Sequence, residues 1–408
     1  NAIANQEVSI VSDIKGTTTD AVFKSMEIAG IGACVLIDTA GFDDDSNLSE
    51  KRIEKTENIL ERTDIGVVVF ADDDISQELE WIEKLRAKKT PVIAIINKID
   101  ENKNTKLLQH KIEKINLRAI SVSAKEKKNI QKIIEELRNI ALDIKESSIC
   151  GHLVKKDDVV LLVMPQDIQA PKGRLILPQV QTIRDLLDNK CIVISVTADN
   201  LEKAFKILKE PPKLIITDSQ VFAKVYEQKP QESALTSFSV LFSRHKGDID
   251  IFVEGAYSIS NLKNGDKVLI AEACSHDPLD GDIGRIKLPA LLRKKTRADL
   301  DIQVVSGNNF PIDLNEYSLI IHCGSCMFNK KYVMARVEQA RNQGIPITNY
   351  GIAIAYMNNI LEKIKEEKKY KMNLRKKISF VSLNMILKLI IILLEIWVLV
   401  VNLNLRRR

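Results

Sequence analysis

Cysteine is scarce in this chain. Six among 408 residues are too few for a disulfide scaffold, so a reducing compartment, the cytoplasm, is expected. Charge of one sign is scarce too. Sixty basic against fifty-five acidic side chains leave +5, which is too thin to indicate nucleic acid or acidic lipid, since those partners demand a concentrated basic face. Aromatic residues make up 5%, leaving few rings on which bases could stack. No cationic start followed by an apolar stretch and a small-residue cleavage site opens the chain, so export has no support. What is plentiful is apolar surface. At 45% hydrophobic residues the chain can bury real interiors, and its length argues for two to four cores at roughly 150 residues per domain.

Residues 1–149 alternate continuous apolar runs, at 8–11, 34–37, 65–70, 91–96 and 119–122, with amphipathic stretches such as 48–62 and 75–88. Strands apolar on both faces that alternate with helices predict a parallel sheet covered on both sides, an α/β domain.

Four short motifs fall at the ends of these runs, in the order that a guanine nucleotide site needs. In Gly16-Thr17-Thr18-Thr19-Asp20, Thr18 can offer a hydroxyl and a carbonyl to Mg²⁺ and the γ-phosphate. In Asp38-Thr39-Ala40-Gly41, the carboxylate can hold Mg²⁺ through water, while Gly41 lets its N–H approach the γ-phosphate. Asn97-Lys98-Ile99-Asp100 supplies a carboxylate that accepts both guanine N1–H and the exocyclic amine. Ser123-Ala124-Lys125 places a backbone N–H near guanine O6. Each tetrapeptide alone is compatible with an ordinary turn; the ordered set is what carries the reading.

On these motifs the region resembles the Era/TrmE-type P-loop GTPases, and the fold expected for it is that family's, truncated. The first motif, G-x-x-x-x-G-K-[ST], whose amides and lysine cradle phosphates, is missing. Asn1 to Asn5 read as the end of the helix that follows it, so a cut-off cradle and weak GTP binding are expected. Phe42 follows Gly41, where Ras-like enzymes carry the glutamine that orients water. The TrmE resemblance implies that a potassium ion assists instead.

Residues 150–231 repeat the pattern on a smaller scale, with buried-type runs at 159–164, 191–196 and 214–217 and helical stretches at 179–188 and 201–209. A small α/β layer is expected, with packing against a second copy as its role. Asp157, Asp158, Asp167 and Asp218 are neither clustered at ligand spacing nor joined by histidine, and read as turns.

Residues 232–363 carry short apolar runs at 267–271 and 318–321, followed by Cys274-Ser275-His276 and His322-Cys323-Gly324-Ser325-Cys326. Ligands gather at the carboxyl edge of open parallel sheets, so two distant strands can deliver five soft or borderline donors to one spot. The spacing is C-x-H-x45-H-C-x-x-C. Three thiolates suit three irons of a 4Fe-4S cluster and leave the fourth iron to a histidine, another donor or an exchangeable ligand. A Cys₃His zinc site is the structural alternative. His276 and His322 are either ligands or donors that orient the thiolates.

Taken together, the truncated GTPase, the small α/β module and the cysteine-histidine motif resemble the HydF family of FeFe-hydrogenase maturation GTPases, over about residues 1–363. The resemblance implies a homodimeric scaffold that binds a 4Fe-4S cluster and GTP with Mg²⁺, carries a diiron precursor, and delivers it to apo FeFe-hydrogenase. HydE and HydG, radical-SAM maturases, would be its other partners, and nucleotide turnover would time the exchange. It also implies Cys274, Cys323 and Cys326 as thiolate ligands, with His276 and His322 as variable contributors.

Cys34 and Cys191 read as small apolar core residues, Cys150 and His152 as linker, His110 and His245 as surface. Residues 364–408 depart from the family: a basic connector leads into an apolar stretch at 378–405, interrupted by Lys388 and Glu395 and closed by Arg406-Arg407-Arg408. Its length would cross a bilayer, but its internal charges and two basic flanks fit a packed helix or a shifted reading frame as well. The competing functional class is a ribosome- or tRNA-associated GTPase with a structural zinc module.

Overall fold

The computed structural model describes residues 1–5, 21–39, 59–101, 104–143, 148–165, 175–273, 283–307, 309–325 and 328–361. These form three α/β layers in chain order. The run at 8–11, residues 48–58 of the first helical stretch, Asp167 and the apolar tail lie outside the described residues. Among the described residues no helix is long and apolar enough to cross a membrane.

The first layer departs from an all-parallel sheet. β1 (Val22–Ile28) and β2 (Gly32–Asp38) pair antiparallel as a two-stranded sheet. Only three residues join them, far short of the dozen or more that a parallel crossover needs. Gly30 and Gly32 take φ of +90° and +100° there, a backbone that side chains resist. Residues 2–5, expected as a helix end, form a turn. β3 (Gly66–Phe70), β4 (Val92–Ile96) and β5 (Ala119–Ser121) are parallel, in the order β3-β4-β5. α1 (Ser76–Ala87), α2 (Thr105–Glu113) and α3 (Ile130–Asp143) cover them. Alternate residues of β4 explain its unbroken apolar run. Ala94 and Ile96 pack with Phe70, Ile82, Leu108 and Ile112 on one face, and Ile93 and Ile95 with Ile28, Val122 and Ile133 on the other.

The second sheet has the order β7-β6-β8-β9 and is wholly parallel. Its strands are β6 (Val159–Val163), β7 (Ile192–Val196), β8 (Leu214–Thr217) and β9 (Ala234–Ser237). β9 lies past residue 231, where the sequence placed the domain junction; the strand is short and follows no long apolar run. Helices α4 (Leu177–Asp188), α5 (Leu201–Ile207) and α6 (Phe222–Gln228) link these strands.

α7 (Phe238–Lys246) leads into the third layer and also touches α4 of the second. There α8 (Ile249–Tyr257), β10 (Lys267–Glu272), α9 (Leu288–Thr296), β11 (Asp301–Ser306), β12 (Leu319–His322), α10 (Lys330–Asn342), β13 (Ile347–Asn349) and α11 (Tyr350–Met357) follow in turn. The sheet is parallel, ordered β11-β10-β12-β13. The chain leaves β10 toward β11 on one side and returns at β12 on the other, so the crevice at the carboxyl ends of β10 and β12 is the topological switch point where such sheets take ligands. α8 lies close on β13: a Cβ at Gly255 would stand 2.0 Å from the Ile347 carbonyl oxygen.

Candidate functional site

Two groups of sequence-selected residues are assembled at strand ends. At the first, register pairs Ile96 of β4 with Ser121 of β5, so the turns that follow both strands emerge side by side. Asn97 N–H continues the ladder to Phe70 O at 2.9 Å, and its side-chain Oδ1 accepts the Ala124 N–H at 3.1 Å. Asn97 thus ties the two turns together. Lys98 adopts φ of +57°, and its carbonyl accepts Glu101 N–H at 2.9 Å, a tight turn that leaves Asp100 exposed. Ser123 is fully buried. Its hydroxyl hydrogen-bonds the Asp100 carboxylate and holds that group below the usual carboxylate range, because a hydrogen bond to the charged form favours it. Ser123 Oγ also accepts Glu126 N–H at 3.0 Å, which fixes the turn presenting Ala124. Lys125 Nζ pairs with Glu101 at 3.4 Å. A carboxylate fixed at the mouth of two adjoining turns is chemically suited to accept from the paired N–H donors of a guanine edge, while the Ala124 N–H is taken up by Asn97. Asp38 stands exposed at the end of β2; Thr18 and Gly41 lie outside the described residues.

The second group lies at the switch point of the third sheet. β10 and β12 are neighbours, with Ala271 opposite His322, and Cys323 N–H donates to Ala271 O at 2.8 Å. Cys323 Sγ accepts two backbone N–H bonds, from Ala273 at 3.0 Å and from Ser325 at 3.4 Å. Ala273 directly precedes Cys274. The segments that carry Cys274 and Cys323, 49 positions apart in sequence, therefore follow adjoining strand ends. Amide donors aimed at a sulfur stabilise its thiolate, the form that binds metal. Ser325 adopts φ of +53°, closing the turn, and Lys246 at the end of α7 donates to Ser325 O at 3.0 Å and Phe328 O at 2.8 Å.

His322 is buried, with 1% exposure. Its Nε2 lies 2.9 Å from Arg336 Nη1, and its Nδ1 is 2.9 Å from Ser325 Oγ and 3.0 Å from Cys323 O. Burial first, and the Arg336 charge second, push its pKa down to about 3, so the ring is neutral. Both ring nitrogens have protein partners in this geometry. Cys274, His276 and Cys326 lie outside the described residues, and among the described residues no three His, Cys, Asp or Glu side chains converge as a metal site.

One cysteine differs from expectation. Cys150 is a fully buried member of the second core, not linker; burial, followed by the Asp185 charge, raises its thiol pKa. Cys34, half-buried on β2, packs against the core formed with Ile93, Ile95 and Ile133, as a small apolar residue would. Sequence reasoning also missed Arg336. The signal was there: Tyr332, Val333, Arg336, Val337 and Ala340 form the buried face of α10, so a charged residue occupies an apolar stripe.

Comparison with known proteins fits this division. Residues 1–98 match a family described as 50S ribosome-binding GTPase. Among curated proteins, the tRNA modification GTPase MnmE of Desulforamulus reducens is 35% identical over 148 residues, 35% of this chain and 31% of that protein. MnmE of Flavobacterium johnsoniae is 31% identical over 147 residues, 34% and 31% of the two chains, and MnmE of Aquifex aeolicus 31% over 151, 36% and 32%. The chain thus spans about a third of the length of these relatives. Residues 149–247 match the Hydrogen maturase F dimerization domain and residues 250–366 the Hydrogen maturase F tetramerization domain, which are self-associating modules. With a GTPase domain ahead of two such domains and the cysteine turn seated at the switch point of the last, the chain belongs to the hydrogen maturase F (HydF) family.

Proposed function

We propose that this chain is a GTP-hydrolysing scaffold that holds a 4Fe-4S cluster on Cys274, Cys323 and Cys326, carries a diiron precursor, and delivers it to apo FeFe-hydrogenase. The observation that carries this reading is the Ala273 N–H donating to Cys323 Sγ at 3.0 Å, because it joins the residue before Cys274 to the first sulfur of the C-x-x-C turn. The chemistry of the donor set fits the group: Cys323 Sγ accepts two backbone N–H bonds, an environment that suits an iron-bound thiolate. When bound, the cluster supplies an iron that no cysteine holds, to which cargo can attach, and His276 is left as a further donor. Cys323 keeps its sulfur oriented through Ala273 and Ser325, and Lys246 steadies the turn.

At the nucleotide site Asp100 selects guanine, Asn97 and Ser123 hold the two base-contacting turns together, and Lys98 and Lys125 flank them. Thr18, Asp38 and Gly41 serve the Mg²⁺ and γ-phosphate end. Water would attack the γ-phosphorus and the bridging P–O bond break, releasing GDP and phosphate; Phe42 cannot orient that water as a glutamine does, and a potassium ion, where bound, would supply positive charge at the phosphates. Such turnover biases partner exchange. The working unit in this reading is a homodimer in the cytoplasm that receives its precursor with the help of HydE and HydG. The test is transfer: chain loaded with the diiron unit, mixed with apo-hydrogenase, yields hydrogen evolution, and the Cys326→Ser variant does not. Equal activation by that variant would refute the carrier role.

A further inference from the structure

Arg336 is among the largest fully buried side chains, at 2% exposure, and among the described residues no carboxylate pairs with it. Its guanidinium instead lies over the rings of Phe310, Phe328 and Tyr332 at 4.7, 4.7 and 4.6 Å. One terminal nitrogen donates to Gly307 O at 2.5 Å and Tyr332 Oη at 3.1 Å; the other donates to His322 Nε2 at 2.9 Å. Burying a cation this way is costly unless its donors are satisfied, and here three acceptors and the faces of three rings take up the guanidinium.

Arginine has only donors. His322 Nε2 must therefore accept, and the proton must sit on Nδ1. From there it faces Ser325 Oγ, which in turn donates to Cys323 O at 3.1 Å. The chain Arg336–His322–Ser325–Cys323 runs one way, from the helix to the cysteine turn, and each group has its polarity set by the one before it.

We propose that Arg336 is a positioning residue for the cysteine motif: it occupies the His322 lone pair that would otherwise bind iron, and fixes that imidazole as a hydrogen-bond donor to the Cys323–Ser325 turn. His322 then holds a cysteine in place and contributes no metal bond, so the open corner of the centre stays free for an exchangeable ligand. This deepens the proposed cluster-carrying role and rests on it for the meaning of the open corner, but the hydrogen-bond assignment stands apart from it.

The test uses the full chain labelled with ¹⁵N-histidine, read by two-bond proton–nitrogen correlation, with the His322→Asn variant identifying the resonance. The metal-free protein should show His322 as the Nδ1–H tautomer, and loading anaerobically with ferrous iron and sulfide should leave it so, without a contact shift at Nε2. Arg336→Met should lower the Nδ1–H preference by about tenfold or more, the worth of a charge-assisted hydrogen bond, whereas Arg336→Lys should restore part of it. Should Arg336→Met not fold, the parent protein alone decides. An Nε2–H tautomer in the metal-free parent, or a contact-shifted Nε2 after iron loading, would overturn the proposal. Metal analysis of the same sample separates the two layers: zinc or no metal, with the Nδ1–H tautomer retained, removes the iron–sulfur reading and leaves the Arg336 lock standing.

Discussion

Asn329 Nδ2 lies 2.9 Å from both carboxylate oxygens of Asp64, 265 positions away in the chain. The same side chain turns its Oδ1 to the Tyr332 N–H at 3.1 Å and so caps α10. A second Nδ2 contact, to Arg62 O at 2.7 Å, and the Lys331 ammonium on Thr63 O at 2.7 Å and on Thr90 Oγ1 complete the joint. α10 starts just after the cysteine turn and carries Arg336. The GTPase domain therefore grips the helix that carries Arg336, at the residue that caps it.

Replacing Asn329 by alanine removes the cap and the joint together. A lost cap costs about 1 kcal/mol, and exposed hydrogen bonds to Asp64 add at most a similar amount. Asp64→Ala leaves the cap in place and should lower the urea midpoint clearly less than Asn329→Ala. Equal losses would mean that the cap contributes nothing.

In the proposed nucleotide site the Asp100 carboxylate is the group that would distinguish guanine from adenine. Asp100→Asn exchanges an acceptor pair for a mixed donor and acceptor, and charge-assisted hydrogen bonds are worth about 1.5–3 kcal/mol each, so the preference for GDP over ADP should fall by about a hundredfold. Competition titration with a fluorescent nucleotide measures it, and an unchanged ratio would remove Asp100 from the base site.

The pH dependence of that preference follows from Ser123. Its hydrogen bond holds Asp100 below the ordinary carboxylate pKa, so the charged form is present above the unfolded-state value and is lost only as pH falls through the lower folded value. Guanine preference should stay level from neutral pH down past the usual carboxylate range. Ser123→Ala should move the acid limb of the GDP-binding profile to higher pH, and an identical limb in the variant would contradict this.

Gly255 has no room for a side chain. Its would-be Cβ meets the Ile347 carbonyl oxygen at 2.0 Å, and backbone cannot rotate aside as a side chain can. Gly255→Ala should therefore cost about 3 kcal/mol, the upper part of the usual overpacking range, read as a loss in denaturant midpoint. A shift within error would show that α8 and β13 separate easily.

Much of this architecture was legible because fully covered parallel strands are written as unbroken apolar runs. The runs at 92–96, 160–163 and 268–271 can be read that way directly. β1 was not, since Val22–Ile28 mixes Lys24, Ser25 and Glu27 among its apolar residues and Phe23, Ser25 and Glu27 face outward; its antiparallel pairing depends on the brevity of the loop that follows. The motif residues could be found because turns after strands keep their chemistry in a few adjacent positions, and Asn97, Asp100 and Ser123 do meet. Their division of labour could not. Asn97 binds its neighbouring turn, a relation fixed by strand register. Arg336 and Cys150 were hidden for opposite reasons: a charged residue type reads as surface, and a cysteine between Ser148 and Gly151 reads as a turn, whereas both are core.

The central claim is that the Cys323 turn holds iron. Iron, sulfide and zinc determination on the anaerobically purified chain, with electron paramagnetic resonance after reduction, tests it most directly, in the parent and in Cys323→Ser. About four irons per chain and a reducible cluster signal in the parent, both lost in a Cys323→Ser variant that keeps its fold, is the predicted result. Stoichiometric zinc without iron, or a cluster retained at parent level when Cys323 is serine, would contradict the account.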